Sequence, residues 1–543
     1  MKNIKSNLIY PIIIIIGILA LYHTVIYNGF SGLDDLLMIE ENWDNLTQLS
    51  HIKTAFTEDV FNGAQGSYYR PIQILSYMPD AFIANCKTPT PKIFFELNLF
   101  FFISAFLLLY FFLSEFNFSA KFRLIFTLLI ASHPTLTPAV AWIPGRVDIV
   151  LFLIVISSIW AFVLFVKTQK TKWALAHILL FSLGMFTKET SICIPTISLL
   201  FVHYYSDKNE DKWSWKKALD IIYWKSIILA QYKWVKQNKL ILAGWIFTLV
   251  IWYILRKNAL PDDPINFMGV LYQISVSWKE FLILAGSTIL PINLQVFLEV
   301  SWPFVLFSIP GALLFILIPT LLKTSFKNYF FGFLWMFLFI FPTTISDYLN
   351  YHRMFIPLVG MAFILKPLDQ KYLKKQWLII ITTSLGLLFI WQNITFQKAF
   401  HNRVNFWNNA VNYSPNSAFA NNGMAWCFHL DNKNDSALIY YERVVNIRPD
   451  RENVRVGMAL IHEENKNFKQ ADSLLQEEFK ATKDSALLYF YIGQVLLNRG
   501  DTQNAVTNLT LGLPSCKSSR NSRLYYDSLD IKVSGLLHHP VQN

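Results

Sequence analysis

The chain has few charged residues for its length. Charged side chains make up 15% of the 543 residues, whereas soluble globular proteins carry about 25%. The hydrophobic fraction is 54%, and the mean hydropathy is +0.35. This imbalance excludes a purely soluble chain and predicts several helices buried in a bilayer.

Cysteine and acidic residues are also scarce. The four cysteines form no CxxC pair and show no spacing typical of a metal site, so we interpret them as incidental. The 36 acidic residues against 47 basic ones leave a net charge of +11. The lysines lie in loops between apolar segments, where they set membrane orientation. We therefore expect a membrane protein with no nucleic-acid partner.

The apolar residues form blocks between positions 8 and 394. A helix that crosses a bilayer needs about 20 mostly apolar residues. We predict about eleven spans, at 8–27, 93–113, 122–140, 147–166, 173–186, 190–205, 240–255, 303–322, 329–345, 354–366 and 376–394. Segment 272–290 is interpreted as interfacial or re-entrant, because counting it as a span would place the later basic loops outside.

The basic loops predict the orientation. The first span reads as an uncleaved signal anchor, because no small-x-small cleavage site follows it. The positive-inside rule places the N-terminus and the lysine-rich loop 206–239 in the cytoplasm. The acidic loop 28–92 and everything after residue 394 then lie outside.

The C-terminal segment 395–543 is more polar and repetitive. Small residues recur 34 residues apart in two series, Ala425, Ala459 and Gly493, and Ala437, Ala471 and Ala505. This period predicts about three TPR repeats forming an α-solenoid. Either a groove for an extended peptide or a domain that stabilises the membrane part fits this pattern.

Five polar motifs lie at the predicted outer ends of the spans. Asp34-Asp35 could supply a general base, since neighbouring carboxylates raise each other's proton affinity; an Asx-type cap on a helix from Leu36 is the alternative. The block HPTLTPAVAWIPGRVD at 133–148 places ionisable groups between two spans, where they are usually functional. Arg146 in it could bind a phosphate, or could pair with Asp148.

Each of the other three motifs also has both a functional and a structural interpretation. Lys188 could bind a phosphate, or Lys188 and Glu189 could neutralise each other. Arg353, after His352, could bind a phosphate or anchor its helix at the headgroups. Arg70 follows two tyrosines, and this arrangement suits contact with a sugar or a lipid headgroup. The alternative is that the tyrosines belong to an aromatic belt at the membrane interface. Together the motifs predict cations and a carboxylate pair around a cavity facing away from the cytoplasm.

These residues resemble a known family. Asp34-Asp35, Tyr69-Arg70-Pro71, the 133–148 block, Lys188-Glu189 and YHRMFIPLVG at 351–360, followed by the TPR-like tail, are similar to GT-C-type glycosyltransferases. The closest resemblance is to a bacterial relative of the TMTC-type transmembrane-and-TPR protein O-mannosyltransferases. It implies an all-α GT-C helix bundle at 1–394 and an extracytoplasmic TPR domain at 395–543, in a bacterial inner membrane.

The resemblance also implies the chemistry. A polyprenyl-phosphate-linked hexose, with mannose expected, would be the donor for inverting transfer to a hydroxyl, expected to be a protein Ser or Thr. The lipid phosphate leaves as a stable anion and needs positive charge to receive it. We expect Asp35 or Asp34 as the base and Arg146, Lys188 and Arg353 as phosphate ligands. His133 would position substrate, with Asp148, Glu189, His352 and Arg70 nearby.

Two other functions stay open. The same fold could glycosylate a lipid or a surface polysaccharide, although a TPR tail favours a protein acceptor. A non-catalytic membrane scaffold for envelope assembly would also need the tail, but would not need clustered charges at one membrane face. No metal is required, although a divalent cation bridging a carboxylate and the phosphate is an open alternative.

Overall fold

The computed structural model describes residues 2–61, 67–84, 86–206, 214–260, 277–292, 294–298, 300–345, 350–373, 375–481 and 485–516. The regular elements of these residues are helical, which confirms the predicted all-α class. We number the helices of ten or more residues in chain order. They are α1 (Lys2–Tyr22), α2 (Pro91–Phe112), α3 (Ala120–Ala131), α4 (Arg146–Thr168), α5 (Thr171–Thr187), α6 (Cys193–Ser206), α7 (Ile221–Gln237), α8 (Lys239–Ala259), α9 (Trp278–Ser287), α10 (Trp302–Leu322), α11 (Phe326–Ile340), α12 (Gln376–Gln397), α13 (Arg403–Tyr413), α14 (Ala418–Leu430), α15 (Asn434–Ile447), α16 (Val454–Glu464), α17 (Phe468–Ala481), α18 (Ser485–Asn498) and α19 (Thr502–Cys516).

The chain divides into two compact units. One, here called the membrane unit, comprises Met1–Phe30 and Tyr69–His401; the other, the second unit, comprises Ser31–Tyr68 and Asn402–Asn543. This division differs from the predicted boundary at residue 394 in two respects, of which the first is that the boundary lies after His401. The segment after the first span, including Asp34 and Asp35, belongs with the C-terminal helices.

The membrane unit contains fewer full-length apolar helices than expected. Among the described residues, six helices are long and apolar enough to cross a membrane: Leu8–Tyr27, Pro91–Phe116, Ile143–Thr168, Lys239–Ala259, Trp302–Leu322 and Gln376–Phe400. The bent pair Ala120–Ala131 and Pro134–Ala141 would make a seventh. In a bilayer a helix is the form that satisfies its own backbone hydrogen bonds, which is why these apolar runs are helical.

The remaining predicted spans are too short or broken. The helices over 173–186, 190–205 and 329–345 are α5, α6 and α11, with 17, 14 and 15 residues. Residues 354–366 form short pieces, because Pro357 starts a 3-10 turn there and a proline cannot donate a backbone hydrogen bond. A count of eleven spans is therefore not confirmed.

Two predicted loop segments contain helices. Loop 206–239 includes the 17-residue α7, although residues 207–213 lie outside the described residues. Segment 272–290 includes the ten-residue α9, which is too short to cross a bilayer alone, and its residues 272–276 are not described. The membrane orientation and the interfacial position of α9 stay predictions.

A kink in the membrane unit carries the second motif. The axis bends by 59° between α3 and the short helix over Pro134–Ala141. Two prolines interrupt the backbone hydrogen bonds of this block at Pro134 and Pro138. A Cβ on Gly145 would lie 2.3 Å from the Pro138 carbonyl oxygen, so the block folds back on itself before α4 begins.

The second unit ends in successive helix pairs. Helices α15, α17 and α19 begin at Asn434, Phe468 and Thr502, which are 34 residues apart. The five alanines of the two predicted series are fully buried: Ala425, Ala437, Ala459, Ala471 and Ala505. Ala425 and Ala437 share one apolar core with Tyr441, and Ala459 and Ala471 share the next with Leu475.

Candidate functional site

Six of the predicted site residues form a cluster in the membrane unit. This ion cluster is Arg70, Asp148, Lys188, Glu189, His352 and Arg353. The residues come from four different parts of the chain, each at the end of a helix or in a short turn. The cluster is the main site that the predicted motifs assemble.

Asp148 lies at the centre of the ion cluster. It occupies the first turn of α4, directly after the 3-10 turn Ile143–Gly145. Lys188, which follows the last residue of α5, donates to both oxygens of Asp148, with Nζ 2.7 Å from Oδ1 and 2.8 Å from Oδ2. The Nε2 atom of His352 lies 3.5 Å from Oδ2. All three side chains are buried.

A second ion pair borders this centre. Arg70 precedes the short helix Pro71–Leu75 and donates from Nη2 and Nε to Glu189 Oε2, at 2.9 and 3.2 Å. The Glu189 side chain is 34% exposed, so this pair is the more open side of the cluster. Lys188 and Glu189 do not form an ion pair with each other, the alternative considered above, because each pairs with a different residue of opposite charge.

Arg353 completes the cluster. Its Nη1 donates to the Thr343 carbonyl at 2.8 Å. It lies within electrostatic range of Asp148, Lys188 and His352. The formal charges sum to +1, from three cations (Arg70, Lys188, Arg353) and two carboxylates (Asp148, Glu189). Both carboxylates of the cluster are thus paired with cations inside it.

Arg146 lies apart from this cluster. It is fully buried and paired with Asp80, with Nη1 2.7 Å from Oδ2 and Nη2 2.5 Å from Oδ1. Its other donors reach the Asn98 side chain and the Ser76 and Phe94 carbonyls, at 2.5, 2.7 and 2.8 Å. A guanidinium has five N–H donors, and here all five have acceptors. The arrangement therefore favours a structural role over the predicted phosphate contact, and an Arg146–Asp148 pair was wrong.

His133 is also packed within the protein. Its Nδ1 lies 2.7 Å from the Thr135 hydroxyl, and its ring stands edge-on against Phe389 at a centroid distance of 4.6 Å. The side chain is buried at the kink after α3. Its predicted substrate-positioning role stays a prediction.

The carboxylate pair lies in the second unit, in the turn that begins at Ser31. Asp35 is buried and accepts three hydrogen bonds. Its Oδ2 accepts from the Ser31 backbone at 2.6 Å, and its Oδ1 accepts from the Ser31 hydroxyl and the Leu33 backbone at 2.8 and 3.0 Å. Asp34 is partly exposed. A short helix does begin at Leu36, but Asp35 makes no side-chain cap to it, so that interpretation was wrong.

A close contact with the C-terminal helices shapes this turn. Gly32 has φ +68°, and a Cβ there would lie 2.7 Å from the Trp426 ring on α14. Burial raises the pKa of Asp35, against the lowering effect of the Ser31 donors. Burial also raises the pKa of Glu40 to about 7, and the charge of Asp35 adds to that rise. The turn therefore favours protonated carboxyls more than water does.

Sequence reasoning missed the partners of these residues. Asp80 and Asn98 hold Arg146, and Trp426 packs on Gly32. Two signals could have pointed to these partners, since buried polar groups need hydrogen-bond partners. Asn98 is a polar residue inside a predicted span, and Asp80 is an acid in an apolar stretch. Within the described residues, no group of three or more His, Cys, Asp or Glu side chains is placed to hold a metal ion.

No family model, curated protein or solved structure matches this chain.

Proposed function

We propose that the chain is a membrane glycosyltransferase that takes a hexose, with mannose as the expected sugar, from a polyprenyl-phosphate donor. The observation that carries this proposal is the buried ion cluster, in which three cations converge and Asp148 holds Lys188 in place. A lipid phosphate becomes an anionic leaving group during transfer, and a prearranged cation in a site that excludes water stabilises that charge strongly. The resemblance of the sequence motifs to GT-C enzymes points to the same reaction.

Within the cluster, the proposed roles follow from the contacts. Asp148 holds Lys188 through both carboxylate oxygens, which fixes the ammonium group. Arg353 donates one hydrogen bond from Nη1 to a backbone carbonyl, and its planar guanidinium group suits phosphate oxygens. Arg70, on the more open side of the cluster with Glu189, would contact the sugar or the phosphate.

The resemblance to GT-C enzymes assigns the role of general base to the Asp34–Asp35 pair. Exposure favours Asp34 as the group that meets the acceptor hydroxyl, because its side chain is partly exposed, whereas Asp35 is buried and accepts hydrogen bonds from Ser31 and Leu33. Asp35 would then be a positioning residue that holds the turn.

The acceptor is proposed to be a protein Ser or Thr. The 34-residue spacing of α15, α17 and α19, with buried alanines between the helices, supports TPR repeats. Stacked repeats of this kind form concave surfaces that hold extended chains. We propose a bacterial inner-membrane location, with the N-terminus cytoplasmic and the repeats on the opposite side.

Donor binding by matched arginine variants tests the cluster. Arg353 and Arg123 each donate to a backbone carbonyl, from Nη1 to Thr343 at 2.8 Å and to Tyr110 at 3.1 Å. Purified full-length Arg353→Gln should bind polyprenyl-phosphate-mannose about tenfold or more weakly, since a hydrogen bond to a charged group contributes about 1.5–3 kcal/mol. Arg123→Gln should bind the donor like the parent protein.

The outcomes separate the candidate functions. Equal donor affinity in both variants, with melting temperatures unchanged, would contradict a phosphate site at the cluster. A parent protein that binds no polyprenyl-phosphate sugar would favour a scaffold.

A further inference from the structure

A long apolar groove lies in the membrane unit, away from the ion cluster. It has a volume of about 610 Å³, within the range of about 300–1,000 Å³ typical of small-molecule sites. Three helices line it: α1, the α3 region from Lys121 to Ser132, and α12, which contributes Thr382 and Gly386.

The shape of the groove suits a single hydrocarbon chain. Along α3 it runs from Lys121 to Ser132, roughly 16 Å at 1.5 Å per residue. The space beside Gly386 is open, because a Cβ there would meet no atom within 4 Å. Each methylene buried in such a place contributes about 0.8 kcal/mol.

At the Ser132 end of the groove, the neighbouring polar groups are hydrogen-bonded to one another. The Tyr22 hydroxyl donates to the Ala131 carbonyl at 3.0 Å. The Asn393 amide donates to that hydroxyl at 2.7 Å and to the Ser132 carbonyl at 3.3 Å. Tyr22 and Asn393 are fully buried, so this end offers a charged headgroup few accessible hydrogen-bonding groups.

The opposite end carries a cation. Among the described residues that line the groove, Lys121 is the one charged side chain, and it is exposed. The acid on this side, Asp369, accepts from the Ser119 backbone and hydroxyl at 2.8 and 2.5 Å, at the start of α3. Lys121 thus offers a cation to an anionic headgroup at this end, and the apolar length of the groove complements its tail.

We propose that this groove binds one anionic glycerophospholipid, with its phosphate on Lys121 and one acyl chain along α3 and α12. The lipid belongs to the leaflet at the Lys121 end. It packs between the first and last long helices of the membrane unit and so ties them together. The proposal needs no transferase activity and stands apart from the proposed function.

Native mass spectrometry of the purified full-length protein tests it. The probes are phosphatidylglycerol, phosphatidylcholine with the same acyl chains, and polyprenyl phosphate. The parent protein should retain one phosphatidylglycerol through detergent washing, in preference to phosphatidylcholine. Gly386→Trp should lose it, because the indole fills the groove, whereas Leu387→Trp on the exposed neighbouring position should keep it.

The headgroup assignment has its own variant. Lys121→Gln should retain phosphatidylglycerol and phosphatidylcholine equally, while Lys170→Gln, an exposed lysine elsewhere in the membrane unit, should behave like the parent. Thr382→Trp, also on the lining, replaces Gly386→Trp if that variant is not monodisperse. Equal retention in Gly386→Trp and Leu387→Trp would show surface lipid only and overturn the proposal. Preference for polyprenyl phosphate would overturn the phospholipid assignment.

Discussion

The buried Arg146–Asp80 pair is expected to stabilise the membrane unit rather than bind substrate. Both side chains are fully buried, and five hydrogen bonds end on the guanidinium. Removing one partner of a buried ion pair costs about 3–5 kcal/mol, because the other charge is left uncompensated. Arg146→Met and Asp80→Leu should therefore each lower the free energy of unfolding by about 3–5 kcal/mol.

The double variant is the sharper part of this prediction. With both charges gone, the remaining cost is that of acceptors left without a donor, namely the Asn98 side chain and the Ser76 and Phe94 carbonyls, at about 1–3 kcal/mol for each unsatisfied group. Because no uncompensated charge is left behind, Arg146→Met/Asp80→Leu should cost less than the sum of the two single changes.

Unfolding of the full-length protein in mixed micelles, followed by tryptophan fluorescence, measures these costs. The exposed pair Lys92–Glu96, with atoms 3.8 Å apart, supplies the control. Lys92→Met and Glu96→Leu should each change stability by no more than about 1 kcal/mol. Additive costs of the Arg146 and Asp80 changes would refute the structural role. A loss of affinity for the lipid-phosphate sugar donor in Arg146→Met, at unchanged stability, would support the predicted phosphate contact of Arg146 instead.

Two further predictions concern the turn that holds Asp34 and Asp35. Gly32→Ala should destabilise the second unit by more than Gly500→Ala in thermal melting, because both positions have positive φ, at +68° and +82°, but only a Cβ on Gly32 meets a side chain within 4 Å; equal melting temperatures in the two variants would contradict the packing on Trp426. Glu40 has a folded-state pKa raised by burial to about 7 from 4.5, so its neutral form favours the fold. That contribution is complete below pH 4.5 and is lost as the pH rises through about 7, so Glu40→Gln should flatten the fall in melting temperature between pH 5 and pH 8, and an unchanged pH profile would disprove it.

The sequence predicted local features well. The all-α class and the positions of the C-terminal helices follow from hydropathy and a 34-residue period, which depend on neighbouring residues. Alanines chosen for their spacing, such as Ala437 and Ala471, are buried between helices. The TPR assignment and the membrane orientation rest on those patterns and stay predictions.

Long-range partners could not be predicted in the same way. Arg146 and Lys188 are both cations at the ends of apolar segments, and hydropathy treats them alike. Their difference comes from Asp80, 66 residues before Arg146, and from Asp148, 40 residues before Lys188. Apolar composition likewise predicts membrane spans at the shorter helices α5, α6 and α11, because it does not reveal where a turn ends a helix.

Sugar transfer by the reconstituted protein is the measurement that tests the central proposal most directly. Proteoliposomes with the full-length protein, radiolabelled polyprenyl-phosphate-mannose and a Ser/Thr-rich peptide should yield labelled peptide. Asp34→Asn should reduce that rate by about 10²–10⁴-fold, the usual contribution of a general base, at an unchanged melting temperature. No transfer by the parent protein with any lipid-linked hexose, or full transfer by both Asp34→Asn and Asp35→Asn, would contradict the account.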